Sequence, residues 1–283
     1  MNRIIRSVSA EWRKVRATKL WWVLAIVLAG YSALMAGAFA FMFSAVGDAM
    51  SSAGGDQAAG FAPPAQEIAE LVYSGVSTFG YVIPLIFGAL MATGELRHRT
   101  LGLAFTLEPR RGIVLLGKVK VLLGVGLLLG IAGVIGAVAA GGGLLAATGG
   151  DPMLGSGDTW ALLARVIVAI GIWAVIGFGV GLLVGNQAFA IVIVLVFTQF
   201  LEPVLRMAAG FWDWSAQIAK FLPGAASDAF VGASVMTSMS AIDPSAPAGA
   251  QPLGIWGGLA VLLAYGIVAV LLGWLTRWRK DVV

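Results

Sequence analysis

Gly112, Gly117 and Lys118 lie in the stretch RRGIVLLGKVK, Arg110 to Lys120. Their spacing is that of a phosphate-cradling P-loop, in which the lysine reaches the outer phosphates of a nucleotide. The chemistry requires a Ser or Thr hydroxyl next, to hold magnesium, and Val119 stands there instead. The residues between the glycines, Ile113 to Leu116, are bulky and apolar. They form a helix more readily than a tight turn of free N–H groups. No apolar strand ending in Asp follows, so the pattern does not predict a nucleotide site on this chain. Other chemistry is also scarce. There is no cysteine and one histidine, His98, and no pair of carboxylates falls on an apolar face. An intramembrane enzyme would need such a constellation.

The elements that position Lys118 follow from composition. The chain is 59% hydrophobic and 11% charged, against about 25% charged in soluble domains, which predicts an all-α integral membrane protein. Uncharged runs long enough to cross a bilayer cover Leu20–Phe43, Leu71–Gly94, Val121–Ala147 and Leu253–Thr276. Val166–Leu201 is too long for one span and contains the polar turn Gly185-Asn186-Gln187, so it reads as a helical hairpin. Six spans result. With both termini in the cytoplasm, 15 of the 18 Lys and Arg residues face inward. That asymmetry fits the positive-inside rule, and a five-span count does not. Basic residues so placed point to membrane orientation and lipid head groups rather than to nucleic acid. Arg206 and Lys220 fall in outer segments, and Arg165, just inside the fourth span, is expected to snorkel or pair with Asp158. Few ionisable groups fall within the spans, which argues against a self-sufficient secondary transporter or channel.

Residues 1–18 suit an interfacial helix. Ile4, Val8, Trp12 and Val15 share a face, with Arg13, Lys14 and Arg16 elsewhere, a pattern that lies on anionic head groups. A plain basic flank is the alternative. The outer loop 44–67 reads as flexible, and 202–252 as an outer loop with re-entrant or interfacial helices. The fifth span, Ala188–Leu201, is short for a bilayer and is expected to continue past Glu202 and Pro203, beside re-entrant pieces. Gly177/Gly181/Gly185 and Gly126/Gly130 allow close helix approach, most simply within the chain.

The segment GELRHRTLGLAFTLEPRRGIVLLGK, residues 94–118, joins the second and third spans. Thr100 can cap a short helix that Pro109 ends. Glu95, the Arg97-His98 pair, Thr100, Pro109-Arg110-Arg111 and Gly117-Lys118 follow in order. This order resembles the loop of type-2 ABC exporter permeases, with Arg99 where relatives often carry Gly. The elbow-like N-terminus, the Phe221–Gly224 stretch and the basic C-terminus extend the resemblance over nearly the whole chain.

The resemblance implies one transmembrane permease domain, 1–283, in a bacterial cytoplasmic membrane. It implies no cofactor on this chain, ATP and Mg on a separate ABC ATPase subunit in two copies, and a second permease copy or a similar one. The loop 95–111, with Glu95, Arg97, His98, Arg99, Thr100, Pro109, Arg110 and Arg111, would couple to the ATPase. Glu95, Arg110 and Arg111 are expected to be exposed, and Lys118 to snorkel to the head groups. Tyr73, Phe79, Tyr81, Phe87, Phe197, Thr198 and Gln199 would lie on the spans lining the path. Leu222, Pro223 and Gly224 would form an outer gate. The cargo would be hydrophobic or amphiphilic: a drug-like molecule, a peptide or a lipid.

Overall fold

The computed structural model describes residues 3–54, 64–97, 110–209, 213–233 and 253–278. Among these there is no strand, and six helical stretches are long and apolar enough to cross a membrane. The protein is an all-α multi-pass membrane protein, as the sequence predicts.

Helix α1 is Arg3–Ala17 and α2 is Leu20–Gly54. The second span is built from two helices, α3 (Ala65–Gly80) and α4 (Val82–Arg97). They meet at Tyr81, which keeps helical angles. Pro84 explains the joint, because it has no N–H to offer the Gly80 carbonyl. The third span is α5 (Arg111–Ala137), one π-helical turn (Val138–Gly142) and α6 (Gly143–Ala147). The fourth is α7, Gly157–Val184. The fifth runs through α8 (Gln187–Val196), a π-helical turn (Phe197–Leu201) and α9 (Glu202–Ala208). Two short helices follow, α10 (Asp213–Ala219) and α11 (Pro223–Val231), and then the last span, α12 (Ile255–Gly273), which ends in a π turn at Trp274–Trp278.

The hairpin is confirmed at its turn. Gly185 ends α7 at φ 70°, a left-handed angle that glycine takes without a Cβ clash. The Asn186 side chain then accepts from Phe189 N and caps α8. The fifth span does continue past Pro203, as expected: the backbone stays helical from the π turn through Ala208, with Pro203 just after that turn. The loop expected over 44–67 is shorter than the sequence suggested. Helix α2 continues to Gly54 and α3 starts at Ala65, since no proline precedes Pro63 in a run rich in Ala and Met.

The fourth span is the hub, with 72% of its most apolar window buried against 22% for the first, fifth and sixth spans. It packs on α4, α5 and α12. Glycines set these seams. A Cβ at Gly177 would overlap the Leu85 carbonyl, and one at Gly181 would come within 2.8 Å of the Ala89 oxygen. A Cβ at Gly126 or Gly130 would come within 3 Å of the Gly171 or Ile167 backbone, respectively. These ladders serve packing within the chain, as anticipated.

Candidate functional site

Two buried polar clusters stand out, one at each end of the bundle. The first answers for Lys118. Helix α1 lies across the start of α5 with Val15 buried and Val8 and Trp12 against the core. Gly117 allows the approach, since a Cβ there would strike Ser7, whose hydroxyl donates to the Ile113 carbonyl at 3.3 Å. Glu11 is on the same inward side of α1, 4% exposed. Lys118, also 4% exposed, donates to Glu11 Oε2 at 2.7 Å and to Glu95 Oε1. Lys14 adds bonds to Glu11 Oε1 at 2.8 Å and Glu95 Oε1 at 3.2 Å. Burial lowers the Lys14 ammonium, but Glu11 and Glu95 outweigh it and hold the group above its usual range.

The expectation that Lys118 snorkels to head groups is therefore overturned. Its ammonium turns inward because two carboxylates await it there, and an apolar interior favours a paired charge over a lone one. Glu95 is likewise not freely exposed, with 15% of its side chain accessible. The P-loop reading fails on geometry, because Gly112 and Gly117 are inside α5 and the lysine is committed to carboxylates. The adjoining cavity, lined by Glu11, Met91, Lys118, Val121, Leu122 and Phe178, is about 10 Å³. That is room for roughly one water, not a nucleotide.

The cluster ties together the ends of α4 and α5, which flank the expected coupling loop. Arg110 is exposed and precedes α5, and Arg111 begins it. Arg97 ends α4. His98, Arg99, Thr100 and Pro109, with the short helix expected between them, lie outside the described residues. On α1, Trp12 is partly buried, while Arg13, Lys14 and Arg16 are exposed.

The second cluster surrounds α11, whose residues are almost all buried. Glu202, 2% exposed, accepts from Gly224 N at 2.6 Å and Ala225 N at 3.2 Å, both through Oε1. Its Oε2 is enclosed without a partner. Arg206 pairs with Asp228 at 2.8 Å, and Thr78 donates to the other Asp228 oxygen at 3.3 Å. Trp173 Nε1 donates to Ser227 Oγ at 3.1 Å, and Tyr265 OH to the Phe221 carbonyl at 3.1 Å. At the far end Gly232 closes α11 in the left-handed conformation, and Arg165 Nε donates to the Val231 carbonyl at 2.8 Å. Arg165 thus neither snorkels nor pairs with Asp158: the carbonyl of Val231, at the negative end of the helix dipole, offers it a nearer acceptor.

The sequence missed this cluster by assigning Glu202, Arg206 and Asp228 to an outer loop. The signal was the i to i+4 spacing of Glu202 and Arg206 directly after an apolar run. Of the residues expected at an outer gate, Leu222 precedes α11, and Pro223 and Gly224 form its buried first turn. The expected path residues do not share one surface. Tyr73 and Phe87 are fully buried, Tyr73 donating to the Pro152 carbonyl at 2.9 Å. Tyr81 stacks on Trp173 at 4.4 Å and donates to the Thr198 carbonyl at 3.2 Å. Thr198 is buried, Phe197 partly so, and Phe79 and Gln199 are exposed.

Fold and clusters define a helical multi-pass membrane protein with a charge lock at one end and a tethered, buried short helix at the other. Comparison of the whole chain with family models and with curated proteins finds no match. Among the described residues no group of His, Cys, Asp or Glu could hold a metal ion.

Proposed function

We propose that this chain is the membrane subunit of an ATP-driven exporter, working with a separate ATPase that binds ATP and Mg. Two copies, or one with a similar partner, would form the path for a hydrophobic or amphiphilic cargo in a bacterial cytoplasmic membrane, with both termini inside. One observation carries the reading beyond the resemblance. The Glu11–Lys118–Glu95 lock joins the surface helix to both spans that border the loop 98–109. A push on that loop is passed to α1, α4 and α5 together instead of bending one span. Arg110 and Arg111 stand at the loop's exit, where bidentate guanidinium contacts would give an ATPase both grip and direction.

The test is transport per ATP hydrolysed, in vesicles holding the chain and the ATPase it assembles with. Replacing Arg110 and Arg111 together with Ala should leave insertion unchanged and separate hydrolysis from transport or weaken assembly. A double variant that assembles and transports like the parent removes the coupling role. A transporter without an ATPase is the second reading, favoured by the buried Glu202 and Asp228 and the partly buried Arg206. Cargo movement in vesicles given an ion gradient and no ATP would establish it instead.

A further inference from the structure

We propose that Glu202 is a proton-binding site, and that its proton sets how firmly the start of α11 is held. The inference stands whichever transport reading holds, because it rests on charge and geometry alone.

Near Glu202 the cluster holds two carboxylates, Glu202 and Asp228, and one guanidinium, Arg206, while Arg165 is bonded to the Val231 carbonyl at the other end of α11. Arg206 is matched to Asp228 at 2.8 Å, and among the described residues it forms no ion pair with Glu202. The other titratable groups that sense Glu202 are Tyr81, at the joint in the second span, and Tyr265, on α12. Both hydroxyls already donate to carbonyls, Tyr81 to Thr198 and Tyr265 to Phe221. Thr78 donates to Asp228. Glu202 is left with two backbone N–H groups on Oε1 and nothing on an enclosed Oε2. An apolar interior does not hold an ionised carboxylate without full compensation, and a proton on the free oxygen is the simplest remedy.

The opposing forces are the nearby Arg206 charge and the N-terminus of α11, whose N–H groups and dipole favour the anion. Both states are thus within reach. The ionised carboxylate would accept two charge-assisted bonds from Gly224 and Ala225. The acid would accept two ordinary ones, roughly half as strong. Taking a proton from water onto Oε2 loosens the helix start, and losing it tightens the hold. The proton thus acts at Pro223–Ala225, the first turn of α11.

The experiment uses the purified full chain in lipid nanodiscs. Infrared spectra at neutral pH should show a carboxylic-acid carbonyl band that shifts with carbon-13 glutamate, disappears in Glu202→Gln and persists in Asp228→Asn. Hydrogen–deuterium exchange of the peptide spanning 221–231, corrected for intrinsic rates, should quicken about tenfold on the protonated side, and Glu202→Gln should abolish that pH response. A band lost in Asp228→Asn and kept in Glu202→Gln would overturn the proposal. So would a spectrum with no such band. If Glu202→Gln fails to fold, isotope labelling of the parent decides. A neutral-pH band that does not move with labelled glutamate also overturns it.

Discussion

Replacing Lys118 with Ala tests the charge lock most directly. The change removes an ammonium that is 4% exposed and leaves Glu11 equally buried. Removing one partner of a buried pair costs about 3–5 kcal/mol, mostly the penalty of the orphaned charge. Two features of this site reduce the loss. Lys14 still reaches Glu11 Oε1 at 2.8 Å, although 47% of its side chain is accessible, and Glu95 is partly exposed. The lower bound, about 3 kcal/mol, is therefore the expected cost. At a few degrees per kcal/mol, the melting temperature should fall on the order of 10 °C. The assay is tryptophan fluorescence of the purified protein during heating in one detergent. Lys118→Met combined with Glu11→Gln and Glu95→Gln should recover most of the loss, since neutral replacement of a whole buried pair is often harmless. If Lys118→Ala melts with the parent, the lysine is not locked between carboxylates and the sequence-based snorkelling picture returns.

Lys14 makes the contrasting case: as a half-exposed partner, Lys14→Ala should cost less than about 1 kcal/mol. Its folded pKa lies above the ordinary lysine value of 10.5, so that contribution is complete below 10.5 and is lost as the pH rises through the folded value. Melting curves of parent and Lys14→Ala should therefore differ at neutral pH and converge only in strongly alkaline solution. Gly136→Ala sets a Cβ against the Ala29 carbonyl, whereas nothing lies within 4 Å of a Cβ at Gly124. The first should destabilise by about 1–3 kcal/mol. Gly124→Ala should be neutral or stabilising by up to about 1 kcal/mol, and the same melts compare the two.

The spans were legible because a bilayer imposes a length on uncharged runs, and the Gly185-Asn186 turn because its residues suit a left-handed cap. What escaped were pairings between distant elements. Glu11 stands three residues after Val8 and four before Val15, so its inward orientation was written in the same period that marked the surface helix. Lys118 falls in step with Val114 and Leu122, both buried. Each charge was thus placed on a core face by spacing alone, but neither half names its partner. The joint at Tyr81 was signalled by Pro84, a residue hidden in the middle of an uninterrupted apolar run. The Glu202 cluster was lost for another reason: the span was expected to run past Glu202, but nothing in its spacing named Pro223–Val231 as the helix that Glu202 and Arg206 would meet.

The π-helical turn at Phe197–Leu201 gives the fifth span one place where chain length can change without its faces turning. Such a turn holds one residue more than the α-helix it interrupts, and each α-helical residue advances the helix by about 100°. Ala190 and Val194 upstream, Thr198 within the turn and Glu202 downstream are buried on one face, while Phe189, Val192 and Val196 are exposed on the bundle's outside. The wide turn absorbs the surplus residue and keeps these halves in phase. Deleting Gln199 would therefore restore a regular turn and leave Glu202 facing the Gly224 and Ala225 amides. Deleting a residue from the regular stretch Gln187–Val196 has no surplus to draw on and would turn the upstream face by about 100° against Glu202.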